Sequence, residues 1–130
     1  MIAKEPASIY DLPSRRFEEL VAKIFEDQGY EVSLTPEKKD GGYDILCRSN
    51  EKLLNLLFLV ECKKYAKNRP VGVEVVRGLF GVTEMQKANF GMIVTTSSFT
   101  KGAQMEKLQM GSRMNLKEFD DLKKWLSVYQ

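Results

Sequence analysis

The sequence predicts an α/β protein, and three observations carry that expectation. Residues 14–28 place apolar side chains at helical spacing. Short apolar or alternating runs then follow at 30–35, 43–49, 56–63 and 90–96, with a second helical pattern between the last two. No internal repeat, linker or low-complexity tract interrupts the 130 residues, so a single domain over residues 1–130 is the economical reading.

Each element follows from its local chemistry. Ser14, after Pro13, is a candidate cap for a helix running to about Gln28, and Gly29 is a natural stop. In that helix Phe17, Leu20, Val21, Ile24 and Phe25 fall at i, i+3, i+4, i+7 and i+8 and form one apolar face. YEVSLT alternates as a strand, and PEKKDGG is a polar turn. YDILCRS is a second strand. The run from about Leu56 to Lys63 is a third, apolar on both sides as a central strand covered twice should be.

VEVVRGLFGVTEMQKA has poor helix propensity, yet Val75, Val76, Leu79, Phe80 and Thr83 recur with helical spacing over more than a strand's length. It reads as a helix. FGMIVTT is a buried strand, and KGAQMEKLQMG a short helix ended by Gly111. RMNLKEFDDLKKWLSVYQ holds a brief strand and a closing helix with Leu122, Trp125 and Leu126 facing in. The remaining aromatic and Met residues, Met92 among them, read as core.

Composition removes several kinds of chemistry. Hydrophobic content of 43% and charged content of 29% suit a globular chain. There is no histidine, which excludes Ser-His-Asp and Cys-His catalysis and the usual zinc ligands. Acid–base work near neutral pH must then come from carboxylates, lysine or a metal-bound water. Cys47 and Cys62 sit in expected strands without a CxxC pair and read as small buried hydrophobes in a reducing compartment. No apolar run reaches the roughly 18 residues of a membrane span, and MIAKEPASIY lacks a signal-peptide core. A cytoplasmic chain with neither a membrane partner nor a small-molecule cofactor is expected.

The site candidates gather at the end of the third strand. Glu61 and Lys63 point to one face, roughly 7 Å apart, while Cys62 points to the other. Hairpin pairing could set Asp44 beside Glu61. Two carboxylates forced together repel unless a cation lies between them, and a hard divalent ion such as Mg²⁺ resolves the conflict. Water bound to such an ion becomes a nucleophile, and Lys63 could stabilise charge on a phosphate or orient that water. The bare D-x₁₆-E-x-K spacing also suits a structural ion pair at an exposed strand end.

RFEELVAKIFEDQGYEV, DGGYDI, LVECKKY, VRGLFGV and GMIVTTSSFTKGA together resemble the catalytic domain of Mrr-type restriction endonucleases, within the PD-(D/E)xK nucleases. The resemblance covers residues from about 12 to 128 in the family's motif order. It implies a restriction-endonuclease-like αβββαβ core, a central mixed sheet flanked by helices, and Mg²⁺-dependent cleavage of DNA phosphodiesters, with Mn²⁺ able to substitute. Carried over by motif, Asp44 and Glu61 would bind metal, with Cys62 between the motif residues as a further metal-site position. Lys63 would be the catalytic lysine and Glu18 the helix-one glutamate. The family often has glutamine at the position of Glu61, and glutamate adds a metal-ligating charge.

Helical geometry agrees on Glu18. At 100° per residue it borders the apolar stripe and can lean toward the sheet, whereas Glu19 faces water. Asp40 is matched in the same glycine motif and equally suits a plain turn. Gly41 and Gly42 allow backbone conformations closed to other residues, for a close phosphodiester approach or simply for a turn. Lys63, Lys64, Lys67, Arg69 and Arg77 put five cations into fifteen positions with Tyr65 among them, and Lys38 and Lys39 would extend the patch. Such a run suits phosphate contacts that carry no sequence information, or a solvated face.

The function expected is a metal-dependent endodeoxyribonuclease. A non-catalytic DNA-binding module that kept the fold and a structure-selective nuclease such as a junction resolvase are the alternatives. Two symmetric cuts would favour a homodimer.

Overall fold

Leu57–Lys63 forms β3, the middle strand of a five-stranded sheet. The structure, a computed structural model, describes residues 6–36, 42–51 and 53–129. In space the strands keep their chain order: β1 (Glu31–Leu34), β2 (Ile45–Arg48), β3, β4 (Phe90–Thr95) and β5 (Met114–Lys117). The pairs β1–β2 and β2–β3 are antiparallel, whereas β3–β4 and β4–β5 are parallel. Each parallel pair needs a crossover, supplied by α2 (Val73–Met85) and by α3 (Lys101–Met110). The architecture is a mixed sheet flanked by helices.

The two-sided apolar run has its cause in this layering. Phe58 and Val60 face α1 (Ser14–Asp27) and α4 (Phe119–Leu126), packing with Phe17, Val21, Ile24, Leu122 and Leu126. Leu59 faces α2 and α3, beside Val76, Leu79, Ile93 and Ala103. Alternation along β3 therefore feeds two cores. By the same alternation Cys62 belongs to the α1 side, and Glu61 and Lys63 to the α2 side.

Several details differ from the sequence expectation. Helix α1 does begin at Ser14, but Pro13 occupies the cap in extended conformation and no side chain caps the helix. Proline's fixed φ suits the entry to a helix and displaces Ser14 into the first turn. Trp125 only partly joins the core, while Met85 and Met105 are exposed, because α2 and α3 cover the sheet with one face each. Residues Pro6–Asp11 form a 3-10 turn that the helical and strand patterns miss, and it fully buries Ile9. Lys38, Lys39, Asp40 and Gly41 lie outside the described residues. Among the described residues no helix is long and apolar enough to cross a membrane.

Gly42 does have a positive φ of 86°, and a Cβ there would lie 2.6 Å from Val82 Cγ2. What approaches this glycine is therefore α2, so packing against the helix accounts for its smallness.

Because Ile9 is completely enclosed, Ile9→Ala should cost about 2–4 kcal/mol in urea unfolding. Val128→Ala, at an exposed position, should stay within about 0.5 kcal/mol of wild type.

Candidate active site

The site is built where the β2–β3 ladder ends. Ile45 pairs with Val60, so Asp44 and Glu61 stand one step beyond that pair on neighbouring strands. The Asp44 N–H donates to the Val60 carbonyl at 2.8 Å, and Asp44 Oδ2 accepts the Cys62 N–H at 2.7 Å. A side chain thus continues the ladder past its backbone end and locks the carboxylate against β3. Lys63 Nζ lies 3.2 Å from Glu61 Oε2, with 29% and 19% of the two side chains exposed. The structure brings Asp44, Glu61 and Lys63 together at one end of the sheet, with Glu61 and Lys63 on its α2 side.

Burial by itself would lower the Lys63 pKa. The Glu61 carboxylate, joined by Tyr65 and Asp44, outweighs that effect and raises it above 10.5. Lys63 is therefore held in its charged form beside Glu61.

Glu18 approaches from the other layer. Its carboxylate sits 3.1 Å from Arg15 Nη1, which also donates to the Thr35 carbonyl at 2.7 Å, tying α1 to the end of β1. Glu18 is 16% exposed, whereas Glu19 is 42% exposed and paired with Arg16 in solvent. Arg15, which no sequence pattern singles out, joins Glu18 to the Thr35 carbonyl.

Glu18 also acts on the Cys62 thiol. Burial, then Asp44, Glu18 and Glu61 in that order, push this thiol well above 9.0. Three carboxylates thus act on one position. The thiol itself is protonated and turned to the α1 side, a poor donor for a hard cation. The backbone offers an alternative: in an extended strand N–H and C=O of one residue leave on the same side, so the Cys62 carbonyl emerges toward Asp44.

Among the described residues no group of three or more Asp, Glu or Cys side chains is arranged to hold a metal ion. An ion of the magnesium class needs less, binding through one or two carboxylates while waters and substrate phosphates complete its shell. Asp44 and Glu61, oxygen donors at one strand end, fit that requirement.

The basic residues separate into two groups. Lys64 donates to the Tyr10 carbonyl at 3.4 Å, Lys67 lines a cleft of about 260 Å³ with Tyr10, Thr96 and Phe119, and Arg69 stacks 4.1 Å from the Tyr65 ring centroid. These three share the loop that leaves Lys63. Arg77 instead makes a bidentate pair with Glu106, Nε–Oε2 3.1 Å and Nη2–Oε1 3.3 Å, bracing α2 against α3. Lys39 is outside the described residues. A separate apolar cleft of about 400 Å³ between α1 and α4, lined by Phe25, Tyr30 and Trp125, contains none of the charged site residues.

The profile of the Mrr_cat family, described as restriction endonuclease, matches residues 9–126. The chain belongs to this family. A relative from Sinorhizobium fredii (strain NBRC 101917 / NGR234), "Uncharacterized protein y4cE", is 34% identical over 132 residues, covering 100% of this chain and 33% of its own length. Two solved structures share the fold. The DNA modification-dependent restriction endonuclease AspBHI gives a TM-score of 0.76 at 24% identity, over 97% of this chain and 36% of that one. The MspJI restriction endonuclease, solved in complex with a 27-mer oligonucleotide, gives 0.71 at 21% identity, over 95% and 30%. This chain spans about a third of the length of each of these relatives.

Both thiols should be unreactive toward iodoacetamide at pH 8 in the folded protein and reactive in urea, since the thiolate is the nucleophile. Burial pushes Cys47 up to about 12. The folded state therefore holds this proton more tightly than the unfolded chain does. The resulting stability is complete below the ordinary value of 9.0 and is withdrawn as pH rises from there through about 12. Chemical unfolding should show wild type losing more stability than Cys47→Ala between pH 8.5 and pH 10.5.

Proposed function

We propose that this chain is a metal-dependent endodeoxyribonuclease domain, spanning residues 1–130, that hydrolyses DNA phosphodiester bonds. The observation that carries the reading is the convergence of Asp44, Glu61 and Lys63 at the end of a buried strand. Family membership and the shared fold support it, and the oligonucleotide bound by MspJI supports DNA as the partner.

Asp44 and Glu61 would hold Mg²⁺ or Mn²⁺, with the Cys62 carbonyl as a further oxygen donor. When bound, such an ion supplies charge neutralisation at the phosphate and a more acidic water. Lys63 keeps its proton and stabilises negative charge gathering on the phosphate oxygens, aimed by its pairing with Glu61. Glu18, reaching the same strand end from α1, helps orient the water. Lys64, Lys67 and Arg69 contact flanking phosphates, giving affinity without base readout. Arg77 and Lys39 would extend that surface, Arg77 by exchanging Glu106 for a phosphate.

The Lys63–Glu61 ion pair also favours a second reading, in which the pair is structural and the domain binds DNA without cutting it. The two separate cleanly. Mg²⁺ or Mn²⁺ should raise the melting temperature of wild type by binding the folded state, and Asp44→Asn should abolish that rise. Lys63→Ala should keep the metal response yet lower single-turnover cleavage by at least about a hundredfold. A folded, metal-responsive Lys63→Ala protein cutting at the wild-type rate would return Lys63 to a structural role.

Replacing Lys64, Lys67 and Arg69 together with alanine should weaken binding to every DNA sequence. The salt dependence should flatten by about one unit for each phosphate no longer neutralised. Fluorescence anisotropy across a salt series measures both effects. An unchanged slope would place the DNA-binding face elsewhere.

A further inference from the structure

FGMIVTT ends an apolar strand with two threonines, and both are completely buried. Buried hydroxyls need partners, and these two find theirs beyond their own strand. Thr95 pairs with Lys63 in the parallel register and lies on the same face of the sheet. Its Oγ1 donates to the Lys63 carbonyl at 2.7 Å. The Thr96 N–H reaches the same carbonyl at 3.3 Å, and Tyr65 N–H closes a tight turn onto it at 3.0 Å. On the opposite face, Thr96 Oγ1 donates to the Tyr65 carbonyl at 2.6 Å. Tyr10, from the 3-10 turn, completes the circuit by donating its hydroxyl to the Thr96 carbonyl at 2.8 Å.

The chain turns out of the sheet immediately after Lys63, so regular ladder bonding stops where the chemistry is proposed. An ammonium on a four-carbon stem gains direction only if its own backbone is immobile. Three donors on one carbonyl supply that immobility, and the shortest of them comes from the Thr95 side chain. A valine or isoleucine would fill the same core volume without the hydrogen bond. The hydroxyl is thus a feature that packing alone does not require.

We propose that Thr95 is a positioning residue for cleavage, fixing the peptide of Lys63 so that its ammonium stays aimed at the reacting phosphate. This rests on the nuclease reading, and the test separates the two. Thr95→Val keeps the volume and removes the donor, together with the acceptor of the Ser97 N–H, and Thr95→Ser restores both. Amide hydrogen exchange by NMR reads the turn at residues 63–66 independently of activity, alongside the melting temperature, DNA affinity and single-turnover cleavage at saturating DNA with Mg²⁺ or Mn²⁺.

Thr95→Val should speed exchange in that turn while leaving exchange in α1 and α2 unchanged, and should slow cleavage by about tenfold to about a hundredfold. DNA affinity should stay within about twofold, because Lys64, Lys67 and Arg69 remain. Thr95→Ser should recover both the slow exchange and the cleavage rate. If exchange rises throughout the core and the rate merely follows the unfolded fraction, Thr95 is a packing residue and the proposal falls. Equal cleavage by wild type and Thr95→Val overturns it while leaving the nuclease reading intact. A wild type that cuts no DNA with either metal overturns the nuclease reading, and this proposal with it.

Discussion

The Asp44 carboxylate accepts the Cys62 N–H, and the arrangement of the site follows from that bond. Asp44 keeps its backbone bonds to the Val60 carbonyl and the Thr35 N–H, and its side chain takes the next donor along β3. Asp44 is thereby pressed against β3, one step from Glu61. The strand itself cannot shift to relieve the crowding. Phe58, Leu59 and Val60 are enclosed on both faces, and a slip of one residue would exchange the two cores. Register, set by apolar burial, decides which charges meet.

Those charges are held only partly exposed, and that sets their chemistry. Glu61 keeps Lys63 protonated against the cost of burial, while Asp44, Glu18 and Glu61 together keep the Cys62 thiol neutral. Carboxylates thus act in the same sense one residue apart, holding the proton on the Lys63 ammonium and on the Cys62 thiol.

Much of this was legible in the sequence for identifiable reasons. LFLVECK reads as a buried strand because it is apolar on both faces, and its polar end marks the candidate site because charge there needs a partner. Helix α1 was legible from its stripe, and the same wheel separated Glu18 from Glu19. The contributions of Ile9, Tyr10 and Arg15 were not legible. Tyr10 acts on Thr96 and Arg15 on Thr35 across long sequence separations, and a 3-10 turn has too little period to leave a pattern. Arg77, which charge counting groups with Lys64 and Lys67, is also paired with Glu106 across α2 and α3, a partner that no sequence pattern shows. Gly42 reads from its motif as a place for backbone freedom, and only α2 reveals what approaches it.

The loop between Lys63 and Val71 is tied down at both ends to one segment. Thr95 and Thr96 hold its beginning, while the Val71 N–H and carbonyl pair with Ser98 and Thr100 at its close. A loop with fixed ends has already met its closure entropy, so exchanging exposed residues in its interior leaves the fold nearly indifferent. Lys67, Asn68 and Arg69 are exposed within it. Charge can therefore be added or removed there without disturbing the carboxylates beside it. In the proposed nuclease, the grip on a polyanion and the chemistry performed on it would be separately heritable traits, free to drift at different rates.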